Sequence, residues 1–277
     1  MALTRKSILC FAILLVSCAT APPSLVDRKN NADQLASARG WQSHQIKTRE
    51  FPLTVYAPLH YSSSEELSIY IEGDGLAWIS SEQPSSDPTP ITPTGLQLAL
   101  AQPSGNAVYL ARPCQYGGAT QEPCAKKYWT NYRFAPEVVS ASNQAIDDLK
   151  QKFGAKRLTL IGYSGGGAVA ALLASQRGDV ERLITVAGNL DHRAWTGQHH
   201  ISALSGSLNP ADFGARLETI PQWHFVGGDD RNIPVDVVKS YSKNFSNKTK
   251  LSIQVVPGYD HRCCWAEQWP SLWAEIQ

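Results

Sequence analysis

Residues 157–166 read Arg157-Leu158-Thr159-Leu160-Ile161-Gly162-Tyr163-Ser164-Gly165-Gly166. A short apolar run of strand character meets a glycine, then a serine two places on, then two more glycines. Small apolar residues from Ala168 to about Gln176 follow and read as a helix ended by Gly178. The pattern is G-x-S-x-G at a strand-to-helix junction. A serine on so sharp a turn is lifted above the sheet in an unfavourable backbone conformation. The residues two before and two after it crowd each other, which demands glycine at Gly162 and Gly166. The helix N-terminus behind Ser164 favours developing negative charge. The Gly165 amide is then a candidate donor to an oxyanion. A glycine-rich turn without chemistry has the same bare pattern, so the rest of the chain must decide.

Working outward, strands are expected at 46–48, 53–57, 67–71, 107–111, 182–186, 222–226 and 251–256. Helices are expected at 95–102, 136–153, 234–241 and 265–276. The 136–153 segment opens on Pro136, places Val138, Val139, Ile146, Leu149 and Phe153 near a 3.6-residue period, and meets Gly154 as its stop. Strands separated by helices imply βαβ units and a mostly parallel sheet covered on both faces. In such sheets an active site lies at the carboxyl ends of the strands. No internal repeat is visible.

With Ser164 so placed, residues 41–277 resemble the α/β-hydrolase family. The resemblance implies an α/β fold with a mostly parallel twisted sheet, helices on both faces and a small cap or none. It also implies a catalytic serine, acid and histidine in that chain order, the acid after a late strand and the histidine after the last. After residues 222–226 come Gly227-Gly228-Asp229-Asp230-Arg231-Asn232-Ile233-Pro234. Gly227, Asp230, Ile233 and Pro234 match the family's spacing, which makes Asp230 the expected acid and Asp229 its neighbouring alternative. Either could instead cap the helix that Pro234 opens. After residues 251–256 comes Pro257-Gly258-Tyr259-Asp260-His261, which puts His261 where the family carries its base. The second oxyanion donor would come from Glu72-Gly73-Asp74-Gly75, through the amide of Asp74 or Gly75. The histidine common there in lipases and esterases is missing.

The remaining marked residues read more plainly. His224 lies within a strand pattern and is expected in the core. Asp191 and His192 could mimic a catalytic pair, but loop residues of that kind are usually solvated. His199-His200 is weak evidence for a metal, and no metal-ligand pattern or cofactor motif is present. Trp265, Trp269 and Trp273 share a helical face by their four-residue spacing and are expected to be core. The proline-rich stretch 76–94 should flank the pocket, as either a functional or a mobile loop. Residues 190–218 are too few for a large cap and predict a shallow lid or an open cleft.

The N-terminus reads as an address. Arg5 and Lys6 precede an uncharged apolar run at 8–16, too short to span a membrane comfortably. Leu15-Val16-Ser17-Cys18 resembles the lipobox of bacterial lipoproteins, which implies removal of residues 1–17 and lipid on Cys18. An ordinary signal peptide cut near Ala21 is the alternative. Ala19 stands where the inner-membrane retention signal would have Asp, which points to the outer membrane facing the periplasm. Residues 18–40 are expected to be a tether, with a short helix possible at 31–39 before Gly40. Cys10 leaves with the signal. Cys114, Cys124, Cys263 and Cys264 form an even set in an exported chain and suggest disulfides. A local Cys114–Cys124 bridge is preferred, leaving Cys263 and Cys264 as a vicinal pair or free thiols. The cross-linked pairings are the alternatives.

The charges nearly cancel, 25 Lys+Arg against 24 Asp+Glu, which argues against a nucleic-acid partner. The expectation is therefore a lipid-anchored envelope serine hydrolase acting on a small acyl ester, a thioester or a lipid-like substrate. An acyltransferase or peptidase with the same residues is the enzyme alternative. A catalytically idle hydrolase-like lipoprotein that binds a ligand or partner is the alternative from another class.

Overall fold

The computed structural model describes residues 21–276. The expected signal sequence, the lipobox-like stretch and Cys18 lie outside the described residues. Eight strands, β1 (Trp41–Lys47), β2 (Pro52–Pro58), β3 (Glu66–Ile71), β4 (Ala107–Leu110), β5 (Arg157–Tyr163), β6 (Val180–Val186), β7 (Gln222–Gly227) and β8 (Leu251–Val256), form one sheet. Their spatial order is β1-β2-β4-β3-β5-β6-β7-β8. The pairings β1·β2 and β2·β4 are antiparallel, and every pairing from β4 to β8 is parallel. This is the fold expected from the alternating pattern.

The helices are α1 (Leu25–Ser37), α2 (Thr94–Ala101), α3 (Pro136–Phe153), α4 (Gly165–Ala174), α5 (His192–Gln198), α6 (Gly214–Leu217), α7 (Val235–Ser242) and α8 (Trp265–Ala274). Strand side chains alternate between two cores, as a pleated sheet requires. Leu67, Ile69 and Ile71 of β3 and Leu158 and Leu160 of β5 pack with α3, α4 and α7. Tyr70, Ile161 and Tyr163 face the other way, toward α1, α2 and α8. Trp265, Trp269 and Trp273 all lie in this second core, as their spacing implies.

The expected tether does not run as one. Ser24 and Asp27 form a reciprocal capping box that starts α1 six residues before the anticipated helix. Ala32 and Ala36 are buried against the domain. Arg28 is buried and donates to the carbonyls of Asp87 and Thr89. Tyr56 donates to Asp33 at 2.8 Å. The segment is poor in apolar residues, so composition points to a tether; it docks through polar contacts instead.

Candidate active site

Ser164 stands between the end of β5 and the first turn of α4. Its φ of 51° and ψ of −121° lie outside the regions a non-glycine residue ordinarily adopts. Its neighbours over-determine this conformation. Ser164 donates its amide to Val186 O at 2.9 Å, and its carbonyl accepts from Gly167 N and Asn189 N, both at 3.0 Å. A methyl group on Gly162 would fall 2.5 Å from Gly167 Cα, and one on Gly166 would fall 2.5 Å from Glu72 O. Real Cβ atoms do not approach so closely. The turn therefore closes only with glycine at both positions.

The C-terminal ends of β7 and β8 bring their loops to this serine. His261 Nε2 lies 3.0 Å from Ser164 Oγ, and His261 Nδ1 lies 2.8 Å from Asp230 Oδ2. An ionised carboxylate can only accept, so His261 donates through Nδ1–H and Nε2 is left to accept from the serine hydroxyl. The Asp230 side chain is fully buried beneath His261. Its other oxygen accepts from the amides of Asn232 and Ile233, each at 2.8 Å. The same carboxylate thus orders the turn ahead of α7 and orients the imidazole, while α7 itself begins after Pro234 with no side-chain cap, so the helix-cap reading of Asp230 does not hold. Asp229 is exposed and contributes its backbone amide to Tyr259 O.

Two further contacts fix the histidine loop. Tyr163, the residue before the serine, donates its hydroxyl to His261 O at 2.9 Å. Burial pushes its phenol above the ordinary range, so it remains a donor. Asp260 Oδ1 accepts from the amides of Arg262 and Cys263 at 2.7 and 2.6 Å. Cys263 and Cys264 are bonded to each other directly behind this turn, and Cys114 is bonded to Cys124. The local pairing and the vicinal pair are the arrangement found.

The loop after β3 lies against the serine on the other side. A methyl group on Gly73 would sit 3.2 Å from Ser164 Cβ, and one on Gly165 would sit 2.5 Å from Asp74 Cγ. Gly73 and Asp74 are therefore immediate neighbours of the turn that carries Ser164. Gly75 turns away with a φ of +64°, where an added Cβ would meet Gln115 Nε2 at 3.0 Å. Neither the Asp74 amide nor the Gly165 amide has a hydrogen-bond partner among the described residues. Of the two loop candidates, Asp74 is the one whose side chain lies beside Gly165; the Gly75 amide is likewise without a partner among the described residues. Glu72 occupies the position of the missing histidine. It is fully buried, and it accepts from Gly73 N at 2.9 Å and from Gly95 N at the start of α2. Burial pushes its carboxyl up to about 7, with the Gly73 and Gly95 amides opposing.

Other marked residues fall elsewhere. His224 is a core residue, its Nδ1 2.8 Å from Thr185 Oγ1 and its ring against Tyr241. Asp191 and His192 do not pair. Asp191 caps α5 and binds Asn209 and Ser240, while both ring nitrogens of His192 are buried without a partner among the described residues. His199 donates from Nε2 to Asn232 O at 2.8 Å, alongside Trp195 Nε1 on the same carbonyl. Residues 190–218 are thus tied to the loop that carries Asp230. The stretch 76–94 is anchored by buried Ser85, Asp87 and Thr89, with Trp129 Nε1 donating to Ser85 O at 3.2 Å. Sequence reasoning missed Tyr163, Arg112 and Arg133. The unnamed "x" before the serine held the signal for Tyr163. The arginines flank the Cys114–Cys124 loop, and only the tertiary structure brings them to Asp74.

No protein-family model matches the chain, and no curated protein sequence matches it significantly. Solved structures do. The esterase Pf2001 of Pyrococcus furiosus superposes with a TM-score of 0.60 at 14% identity, over 85% of this chain and 91% of that one. Est1E from Butyrivibrio proteoclasticus gives 0.56 at 15% identity, over 84% and 98%. An alpha-beta serine hydrolase homologue from Coxiella burnetii gives 0.57 at 14% identity, over 85% and 95%. At these identities the likeness is one of fold, and the fold is that of the α/β-hydrolases.

Proposed function

We propose that this chain is a serine hydrolase that cleaves an ester or thioester through an acyl-enzyme on Ser164. The observation that supports the reading is the hydrogen-bonded row Ser164 Oγ, His261 Nε2, His261 Nδ1, Asp230 Oδ2, set at a helix N-terminus and a strained turn. In this reading His261 Nε2 takes the hydroxyl proton as Ser164 Oγ attacks the acyl carbon. Asp230 stabilises the imidazolium that forms. The carbonyl oxygen gains the negative charge and is received by the Gly165 and Asp74 amides. His261 then returns the proton to the departing alcohol or thiol. Water repeats the cycle on the acyl-enzyme, releasing the acid and restoring Ser164. The structural neighbours named as esterases and as a serine hydrolase homologue support the same class of chemistry.

The test is pre-steady-state kinetics on p-nitrophenyl esters of graded chain length. The expected result is a p-nitrophenolate burst equal to the enzyme concentration wherever deacylation is slower than acylation. Ser164→Ala and His261→Ala are each expected to lower kcat by roughly 10⁴-fold or more, and Asp230→Asn by roughly 10⁴-fold. Unaltered turnover in folded Ser164→Ala would exclude this serine.

The cellular part of the proposal rests on the sequence at 15–19, with Cys18 carrying lipid and, by Ala19 after it, the domain held on the outer membrane facing the periplasm. More than one acyl chain is needed for stable anchoring. Cys18→Ser should move the protein from the membrane to the soluble envelope fraction. Unchanged fractionation would contradict the anchor.

A further inference from the structure

The residue that offers the second oxyanion amide carries a carboxylate. That carboxylate lies directly beside the first donor, because Asp74 Cγ is 2.5 Å from where a methyl on Gly165 would be. A bare negative charge there would oppose the very oxyanion the two amides are placed to receive. The structure shows what meets it. Arg133 Nη1 donates to Asp74 Oδ2 at 2.6 Å and Arg112 Nη1 donates to Oδ1 at 3.2 Å. Both guanidinium side chains are about 95% buried, at 5% and 6% exposure. Burial pushes the Asp74 carboxyl up, and the two arginines outweigh it, holding the group below its ordinary value and so ionised.

The arginines are themselves fixed. Arg112 Nη2 donates to Arg133 O, and Arg133 Nε donates to Thr130 O at 2.6 Å. Arg112 stacks over Phe134 and Arg133 over Trp195, at 5.4 and 5.7 Å. Gln115 completes the hold. Its Oε1 accepts from Arg112 N at 3.0 Å and its Nε2 donates to Gly73 O at 3.1 Å. A trans peptide sets its N–H opposite its C=O. With the Gly73 carbonyl drawn toward Gln115, the Asp74 N–H of the same peptide is turned the other way and has no partner among the described residues.

We infer that Arg112 and Arg133 are positioning residues for acyl transfer: they clamp the Asp74 carboxylate so that its amide serves the oxyanion, and they neutralise a charge that would otherwise repel it. The inference rests on the proposed chemistry at Ser164. It assigns to two buried arginines the support that this loop lacks without its usual histidine.

The test is a charge-rescue cycle in the full chain, read as kcat and KM separately on a p-nitrophenyl ester. Arg133→Gln should lower kcat by about 10²-fold, the loss seen when one oxyanion donor is misplaced, with KM changed less than about threefold. Arg133→Lys, which keeps the charge and loses the fork, should fall between. Asp74→Asn added to Arg133→Gln removes the unneutralised charge and should recover at least about tenfold of kcat over Arg133→Gln alone. A merely structural arginine would give a double variant no better than the product of the singles, and that result overturns the inference. So does a kcat within threefold of wild type in Arg133→Gln. If Arg133→Gln does not fold, Arg112→Lys and Arg133→Lys decide: an unchanged kcat in both also overturns it. A wild-type chain with no ester turnover sinks the reading of Ser164 instead, and thermal-stability coupling between Asp74 and Arg133 then reports on the clamp by itself.

Discussion

Glu72 and His224 are both sealed inside the fold and both depart from their ordinary ionisation, with opposite consequences. Burial pushes the Glu72 carboxyl from 4.5 up to about 7. The native state therefore keeps a proton that the unfolded chain loses. The associated stability is present below pH 4.5 and is lost as the pH rises through 7, amounting to about 3 kcal/mol at most. Glu72→Gln should remove this slope: thermal unfolding should show a higher Tm than wild type at pH 8 and little difference at pH 5. An equal gap at both pH values would contradict the assignment. His224 works the other way, since burial lowers it from 6.5 to about 3. Stability linked to it is present above pH 6.5 and is lost as the pH falls toward 3. The place of His224 was legible in the sequence because it sits inside an apolar strand run. The environment of Glu72 was not, because the amides it accepts from belong partly to α2 and only packing delivers them.

Helices α3 and α8 were readable from their apolar period and from Gly154, while of α1 only the second half was anticipated, at 31–39 before Gly40. Pattern reading counts apolar residues, and α1 buries mainly two alanines and an arginine. What holds it is Arg28 on the 87–89 carbonyls and Asp33 on Tyr56. Hydrogen bonds to a charged group contribute roughly 1.5–3 kcal/mol each, so α1 belongs to the folding unit. Beginning the chain at residue 41 should lower the Tm by about 5 °C or more, and Arg28→Ala should reproduce a large share of that loss. Equal melting temperatures for the two lengths would return this segment to the status of a tether. The turn carrying Ser164 shows the converse. Its glycines announced themselves because the crowding is local to a few residues. Asp74, Arg112 and Arg133 lie far apart in the chain, so no spacing rule joins them.

At the scale of the whole molecule, the parallel run from β4 to β8 does one thing for function: it opens the ends of β3, β5, β7 and β8 on the same edge. Four loops far apart in sequence then supply Asp74, Ser164, Asp230 and His261 to one place. The chain order of serine, acid and histidine was legible through the resemblance to the α/β-hydrolases, with each residue following its own strand. The preference for Asp230 over Asp229 came from the family's spacing, and the structure agrees with it by placing the Asp230 side chain beneath His261. Residues 190–218 are short and are tied to Asn232, in the loop that carries Asp230. The most direct measurement is intact-mass analysis after exposure to a fluorophosphonate, followed by peptide mapping. The account predicts one adduct per chain on Ser164, absent in Ser164→Ala and strongly slowed in His261→Ala. Folded wild-type protein that stays unmodified at Ser164 would contradict it.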